Sequence, residues 1–363
     1  MIRTTIFTAL FCCSLTATAV TVEVSNPTAM QRQEIVEISV RQLGFAVDKG
    51  LVVRDVSGIE RPNQLTSDSL LLIDVHLRPY GTTIFTVEPG TPAAFKSFVS
   101  GRQYPERKDD LAFENDRIGF RAYGPALQQS GERCFGYDVW VKRTPRLILE
   151  ELYRNDPRLS FHQDYGEGVD CYAVGPTLGC GTPALMRRGT LRLPYCYNTC
   201  TILDKGPLRF TVRLDFAPTA DGIAEHRILS LDKGSNFCRS VVWYQGLTEP
   251  MDVAAGFAIR PADTTSVVMG RNYIHYADPT IDPDRYQTQV YVAVLFPDET
   301  VTTAKVQGHA VGISSNYVEG RRFHYYFGAA WSEFDVRSQA EWQSRIDGFL
   351  LARRQPIVLK VKK

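Results

Sequence analysis

The sequence predicts an all-β protein: a large β-sandwich with a small N-terminal β-domain and a short C-terminal helix. Three observations carry that expectation. Short alternating runs rich in Val, Ile, Thr, Phe and Tyr recur along the chain, each bounded by Gly, Pro, Asn or Asp. Their apolar period is near two, which suits a strand with one buried face. Helical periodicity is sparse, and no repeat or low-complexity segment interrupts the pattern. Many strands joined by turns belong to the sandwich or barrel class.

Taken in order, the chain opens on a leader. Arg3 supplies a positive start, IFTALFCCSL an apolar stretch, and Ala17-Thr18-Ala19 a small-residue cleavage site. This predicts a signal peptide over residues 1–19 and a periplasmic or secreted mature chain. The apolar stretch is too short for a stable membrane span. VTVEVSN, EIVEISV, LLLIDVHL and TTIFTVEPG then predict a small β-domain over residues 20–95. The polar stretch GRQYPERKDD opens the large sandwich domain, residues 96–363, with strands such as RIGFRAYG, GYDVWVKR, LRFTVRLDF and TQVYVAVLF. PRLILEELYRND (145–156) predicts a short helix. Residues 335–355 predict a longer one, capped by Asp335 or Ser338, with Trp342, Ile346, Phe349 and Leu350 on one face. Pro356 stops it, and IVLKVKK reads as a last strand.

Composition excludes some functions. At 363 residues and 44% hydrophobic the chain can bury a substantial core. A net charge of +1 argues against nucleic acid as a partner, yet leaves room for a small anionic ligand held by a few local cations. Of eight cysteines, Cys134, Cys171, Cys180, Cys196, Cys200 and Cys238 remain after leader removal. Export predicts disulfides, with Cys171–Cys180 and Cys196–Cys200 the local pairings. There is no G-x-S-x-G elbow, phosphate loop, dinucleotide fingerprint or H-E-x-x-H.

FHQDYGEGVD (161–170) is the richest stretch for chemistry. In an extended segment His162 and Asp164 share a face, and Gly166 and Gly168 permit a bend that brings in Glu167. Such a cluster gives an oriented general acid or base, or a divalent-metal site. The alternative is a surface turn with solvated charges. Arg117, Arg121 and Tyr123 alternate in ENDRIGFRAYG, where arginine suits carboxylate binding as well as surface pairing. In GYDVWVKR, Tyr137, Val139, Val141 and Arg143 alternate with Asp138, Trp140 and Lys142; Lys142 or Arg143 faces a cleft, or both are exposed. Trp331, in the aromatic stretch RRFHYYFGAAWSEFD, fits a sugar platform or the core.

The order AFENDRIGFRAYGPAL, GYDVWVKR, HQDYGEGVDCYAVGPTLGCG, GPLRFTVRLDF, LDKGSN, YYFGAAWS resembles an exported bacterial family named only as a domain of unknown function. That family is met in polysaccharide-utilisation gene clusters beside unsaturated-uronyl hydrolases and includes the ulvan oligosaccharide dehydratase. The resemblance spans about residues 20 to 350. It implies a supersandwich like that of sugar epimerases and many lyases. It also implies a carbon–oxygen lyase that removes water from the non-reducing-end uronic acid of ulvan- or pectin-type oligosaccharides, leaving a 4,5-unsaturated end. On that reading Arg121 with Lys142 or Arg143 clamps the uronate, and His162 is base or acid, oriented by Asp164 or Glu167. Tyr123 or Tyr165 is its partner, Trp331 lies against the sugar, and a divalent metal at His162, Asp164 and Glu167 stays open. The alternatives are a non-catalytic glycan-binding protein, or a hydrolase or epimerase on uronic-acid oligosaccharides. The chain departs from the family pattern at Gly119, at Tyr165 and in LPYCYNTC, a stretch able to alter a cleft wall.

Overall fold

Alternation governs the strands of the computed structural model. It describes residues 19–45, 47, 50–193, 195–260, 266–280 and 288–362. The expected leader, with Cys12 and Cys13, lies outside them apart from Ala19. In Val20–Ser25 every second residue is buried, as VTVEVS requires. This strand sits between Thr82–Pro89 and Val358–Lys362, and Leu51–Arg54 completes a four-stranded sheet. A three-stranded sheet of Arg32–Ser39, Leu70–Leu77 and Asn63–Leu65 faces it. Val22, Val24, Ile38, Ile73, Val75 and Val87 fill the space between the two.

The rest of the chain builds three more sheets. Eight strands run in the order Thr199–Lys205, Arg209–Asp215, Ala224–Asp232, Phe237–Gln245, Phe323–Trp331, Val290–Leu295, Tyr273–Asp278, Val268–Met269. A five-stranded sheet centred on Met251–Ala258 packs on it. A second five-stranded sheet has the order Gly168–Asp170, Asp138–Lys142, Gly119–Ala122, Asp110–Asn115, Val99–Tyr104. One aromatic and aliphatic core joins all three, with Phe120 edge-on to Phe327 at 5.0 Å between ring centroids. Among the described residues the named strands pair antiparallel, with one isolated parallel bridge between Tyr137 and Gly179, so the all-β sandwich expected from the alternation is what forms.

The C-terminal helix runs Gln339–Arg354, with the Ser338 hydroxyl accepting from the Glu341 N–H. Trp342, Ile346 and Leu350 bury against Tyr291, Ala293 and Ala330 on the outer face of the eight-stranded sheet. The shorter helix is Leu149–Asn155. No helix among the described residues is long and apolar enough to cross a membrane.

The cysteines depart from expectation. Cys134, Cys171, Cys180, Cys196, Cys200 and Cys238 are all unbonded thiols. Neither local pairing forms. Cys180 is sealed in the inter-sheet core, where its thiol meets the Gly328 carbonyl, and the Cys196 thiol turns instead to the Cys134 carbonyl at 3.5 Å. A disulfide needs both Cβ vectors to converge, which nearness in sequence does not guarantee.

Candidate active site

The second five-stranded sheet has one greasy face and one charged face, set by strict alternation. Leu111, Phe113, Phe120, Val139, Val141 and Val169 point into the common core. Asp110, Glu114, Arg121, Asp138, Lys142 and Asp170 take the intervening positions on the same strands, all buried. Register then brings charges together: Arg121 pairs with Asp138 across one strand boundary and Trp140 with Asp170 across the next.

Arg121 is the hub. Its Nη2 donates to Asp138 and, at 2.7 Å, to Asp170 Oδ2, while Nη1 lies 3.6 Å from Asp110 Oδ2. The Tyr123 hydroxyl accepts from the same Nη2 at 3.3 Å. One guanidinium cannot neutralise three buried carboxylates, so the cluster holds on to protons. Burial pushes the Asp110 carboxyl up to about 6, against the pull of Arg121. Burial likewise raises Asp138, and it raises Asp170 well above the carboxylate range with Asp138 adding to the effect.

Helix Leu149–Asn155 roofs this face. Tyr153 stacks between Tyr104, at 3.8 Å, and Trp140, at 5.1 Å, and its hydroxyl donates to Asp110 Oδ2 at 3.2 Å. Phe161 packs on Trp140 and thereby places His162. The His162 ring is half exposed, with Nδ1 3.1 Å from the Asp170 carbonyl oxygen and 3.5 Å from its Oδ2. A carbonyl can only accept, so Nδ1 is the nitrogen that donates here, and it is on Nε2 that the neutral form of the ring has its lone pair.

A cavity of about 190 Å³ opens over the cluster. The buried Asp110, Arg121 and Tyr123 form its floor, Leu127 and Cys134 its sides, and the more exposed His162, Arg107, Lys108 and Glu132 its mouth. Lys108 and Glu132 form an ion pair there. Lys108 and Asp109 both adopt left-handed backbone, with φ of 54° and 60°. Two consecutive residues in that region are strained and persist only where neighbours fix them. Here the Tyr197 hydroxyl donates to the Asp109 carbonyl, and the N–H groups of Ala126 and Leu127 donate to Asp109 and Lys108. Gly124 is needed beside this turn, since a Cβ there would lie 2.1 Å from the Asp109 oxygen.

The sequence matches the domain of unknown function DUF4861 over residues 24–359. This chain belongs to the DUF4861 family. Uncharacterized protein P7 of Formosa agariphila is 25% identical over 314 residues, covering 81% of this chain and 78% of that protein. Among solved structures, a glycosyl hydrolase family 38 protein from Enterococcus faecalis superposes with a TM-score of 0.54 at 8% identity, over 95% of this chain and 47% of that one. An alpha-mannosidase from the same organism gives a TM-score of 0.48 at 9% identity, over 95% and 46%. The DUF4861 chain spans about half the length of these two structures, and the first likeness is one of fold.

Within this DUF4861 chain the expected site residues divide. His162, Arg121 and Tyr123 meet around the cavity. Asp164 and Glu167 do not join them: residues 161–167 form turns, not the extended run that the shared face assumed. Asp164 pairs with Arg143 at 2.7 Å and Glu167 with Arg146 at 2.8 Å. Among the described residues no group of three His, Cys, Asp or Glu side chains is placed to hold a metal, so the expected His162/Asp164/Glu167 metal set does not fit. Lys142 cannot reach a substrate, because its ammonium is fully buried against Glu114 Oε2 and the Asn115 carbonyl, each at 2.6 Å. Trp331 is core, 1% exposed, beneath the Arg143 guanidinium at 4.4 Å. Arg143 is further held by Glu333, and Tyr165 is exposed and does not line the cavity. Arg117 leaves the strand face and pairs with Asp335. Asp110, Asp138, Asp170, Tyr153, Arg107 and Lys108 were not among the expected site residues. Alternation in DVWVK already placed Asp138 opposite the core-facing valines, and no comparable signal marked the others.

Proposed function

We propose that this chain is a carbohydrate-active dehydratase that removes water from the non-reducing-end uronic acid of an oligosaccharide, and that it works outside the cytoplasm after leader cleavage. The observation that carries this reading is the cavity itself: a proton-holding Asp110 lies beneath a mouth bearing the half-exposed His162 with Arg107 and Lys108. A sandwich like that of a glycosyl hydrolase family 38 protein is in keeping with a sugar substrate.

The reaction makes three demands. The C5 proton of a uronate is hardly acidic while the carboxylate is charged, so cations must offset that charge. Arg121 is committed to three aspartates, which leaves the task to Lys108 and Arg107. A base must take the C5 proton, and His162 Nε2 carries the lone pair for it. An acid must protonate the C4 hydroxyl as it leaves. Asp110, with its carboxyl at about 6, holds a proton to give in mildly acidic solution. The C5–H electron pair becomes the C4=C5 double bond, the C4–O bond breaks, and water departs with the Asp110 proton. Solvent then returns the His162 proton to Asp110.

The test mixes the purified chain with uronic-acid-ended oligosaccharides. A conjugated enol-carboxylate absorbance with a product lighter by one water supports elimination. Shortening of the oligosaccharide would mean cleavage of the glycosidic bond instead. Binding without any product would make the protein a glycan-binding module.

A further inference from the structure

A second cavity, of about 100 Å³, lies beside the first. Leu185 and Ile223 give it apolar walls, Tyr195 a half-exposed ring, and Glu225 and Tyr244 a polar base. Tyr244 is 2% exposed, and its hydroxyl finds no hydrogen-bond partner among the described residues. A buried hydroxyl without a partner is rare in a native fold and points to a group that arrives from outside. The Tyr195 ring is fixed for contact: its hydroxyl donates to the Ala217 carbonyl and its edge meets Phe216 at 5.8 Å and 89°.

Residues that line the two cavities are linked through one contact. Tyr195 precedes Cys196, whose thiol lies 3.5 Å from the carbonyl of Cys134, and Cys134 lines the first cavity. The Cys196 N–H also donates to Gln128, on the helix beside that cavity.

We propose that the second cavity is a subsite for a neutral sugar next to the uronic acid, an inference that rests on the first cavity being a uronate site. A pyranose ring has an apolar face of C–H groups and a border of hydroxyls. The face suits Tyr195, Leu185 and Ile223, and the hydroxyls suit Tyr244 and Glu225. The preference for a neutral unit follows from charge. Arg192, the cation lining this cavity, is held bidentate by Asp221 at 2.6 and 2.9 Å, and the cavity also carries the acid Glu225, so its lining has no net positive charge to favour a second uronate.

Calorimetry tests this with glucuronic or galacturonic acid alone, and with disaccharides in which the same acid is linked to a neutral sugar. Wild-type protein is expected to bind a disaccharide about tenfold tighter than the single acid. Tyr195→Ala and Tyr244→Phe should each remove most of that gain and leave the single acid's affinity unchanged. Tyr244→Phe keeps the ring that packs on Tyr317, and an unchanged thermal midpoint confirms that the fold is intact. Equal wild-type affinity for acid and disaccharide, or variants that weaken both ligands together, overturns the subsite alone. Failure of any uronic acid to bind overturns the uronate reading of the first cavity, and the subsite with it.

Discussion

Replacing Asp110 by Asn should make the protein more stable and less active, and the stability gain should depend on pH. Asp110 rises from an ordinary 3.8 to about 6 because it is buried in a cluster with one cation for three carboxylates. Below pH ~4 the group is protonated both folded and unfolded, and ionisation costs the fold nothing. As pH rises from ~4 to ~6 the unfolded chain releases this proton while the folded chain keeps it, so wild-type stability falls. Above ~6 both forms are ionised and the loss is complete, at roughly 3 kcal/mol. An Asn side chain has no proton to release, so the gap between variant and wild type should widen by roughly 3 kcal/mol between pH ~4 and ~7. Urea unfolding of both proteins across that range, with equal m-values, measures it directly. A gap that stays constant within ~0.5 kcal/mol would show that Asp110 ionises as an ordinary carboxylate, and would remove it as the proton donor. The same variant should lose turnover by ~10² to 10⁴, the range for a missing general acid.

Three other outcomes follow from the same geometry. Lys142→Met leaves the Glu114 carboxylate buried without its cation and should destabilise the fold by ~3–5 kcal/mol in denaturant unfolding, with Glu114→Gln added to it restoring most of the loss. His162→Gln should lower turnover by ~10² to 10⁴ while unfolding free energy stays within ~0.5 kcal/mol, because the ring is half exposed. Lys108→Gln should raise the KM for a uronate several-fold and Glu132→Gln should lower it, since Glu132 competes for the same ammonium. Steady-state kinetics reads both, and stability should move by less than ~1 kcal/mol for so exposed a pair.

The charged sheet shows what alternation can and cannot convey. In DVWVK it separates Val139 and Val141 from Asp138, Trp140 and Lys142, and the structure keeps that division. It does not say what stands opposite. Lys142 meets Glu114, a residue 28 positions earlier, and so becomes a buried structural pair and not a substrate clamp. Arg121 meets Asp138 and Asp170 through two strand registers that no local pattern specifies. FHQDYGEG misleads for a different reason. A glycine-rich segment has no fixed period, so the shared face of His162 and Asp164 dissolved once the backbone turned, with Gly166 and Gly168 at φ of 100° and 152°. Trp331 was ambiguous because an aromatic run reads the same in a core as on a sugar platform, and only its seat under Arg143 decides it.

The pairing of Val20–Ser25 with Val358–Lys362 has a mechanical consequence. Thr21 lies opposite Lys362 and Ser25 opposite Val358, so both outer ends of this ribbon leave from the same side of the sheet. A force applied between residues 21 and 362 loads a single rung at a time, like a zipper drawn from its open end. The last strand peels away before the sandwich beneath it feels any tension. A tether joined to both ends thus has a weak link built into it, located at the small sheet and not at the sheet that carries Arg121.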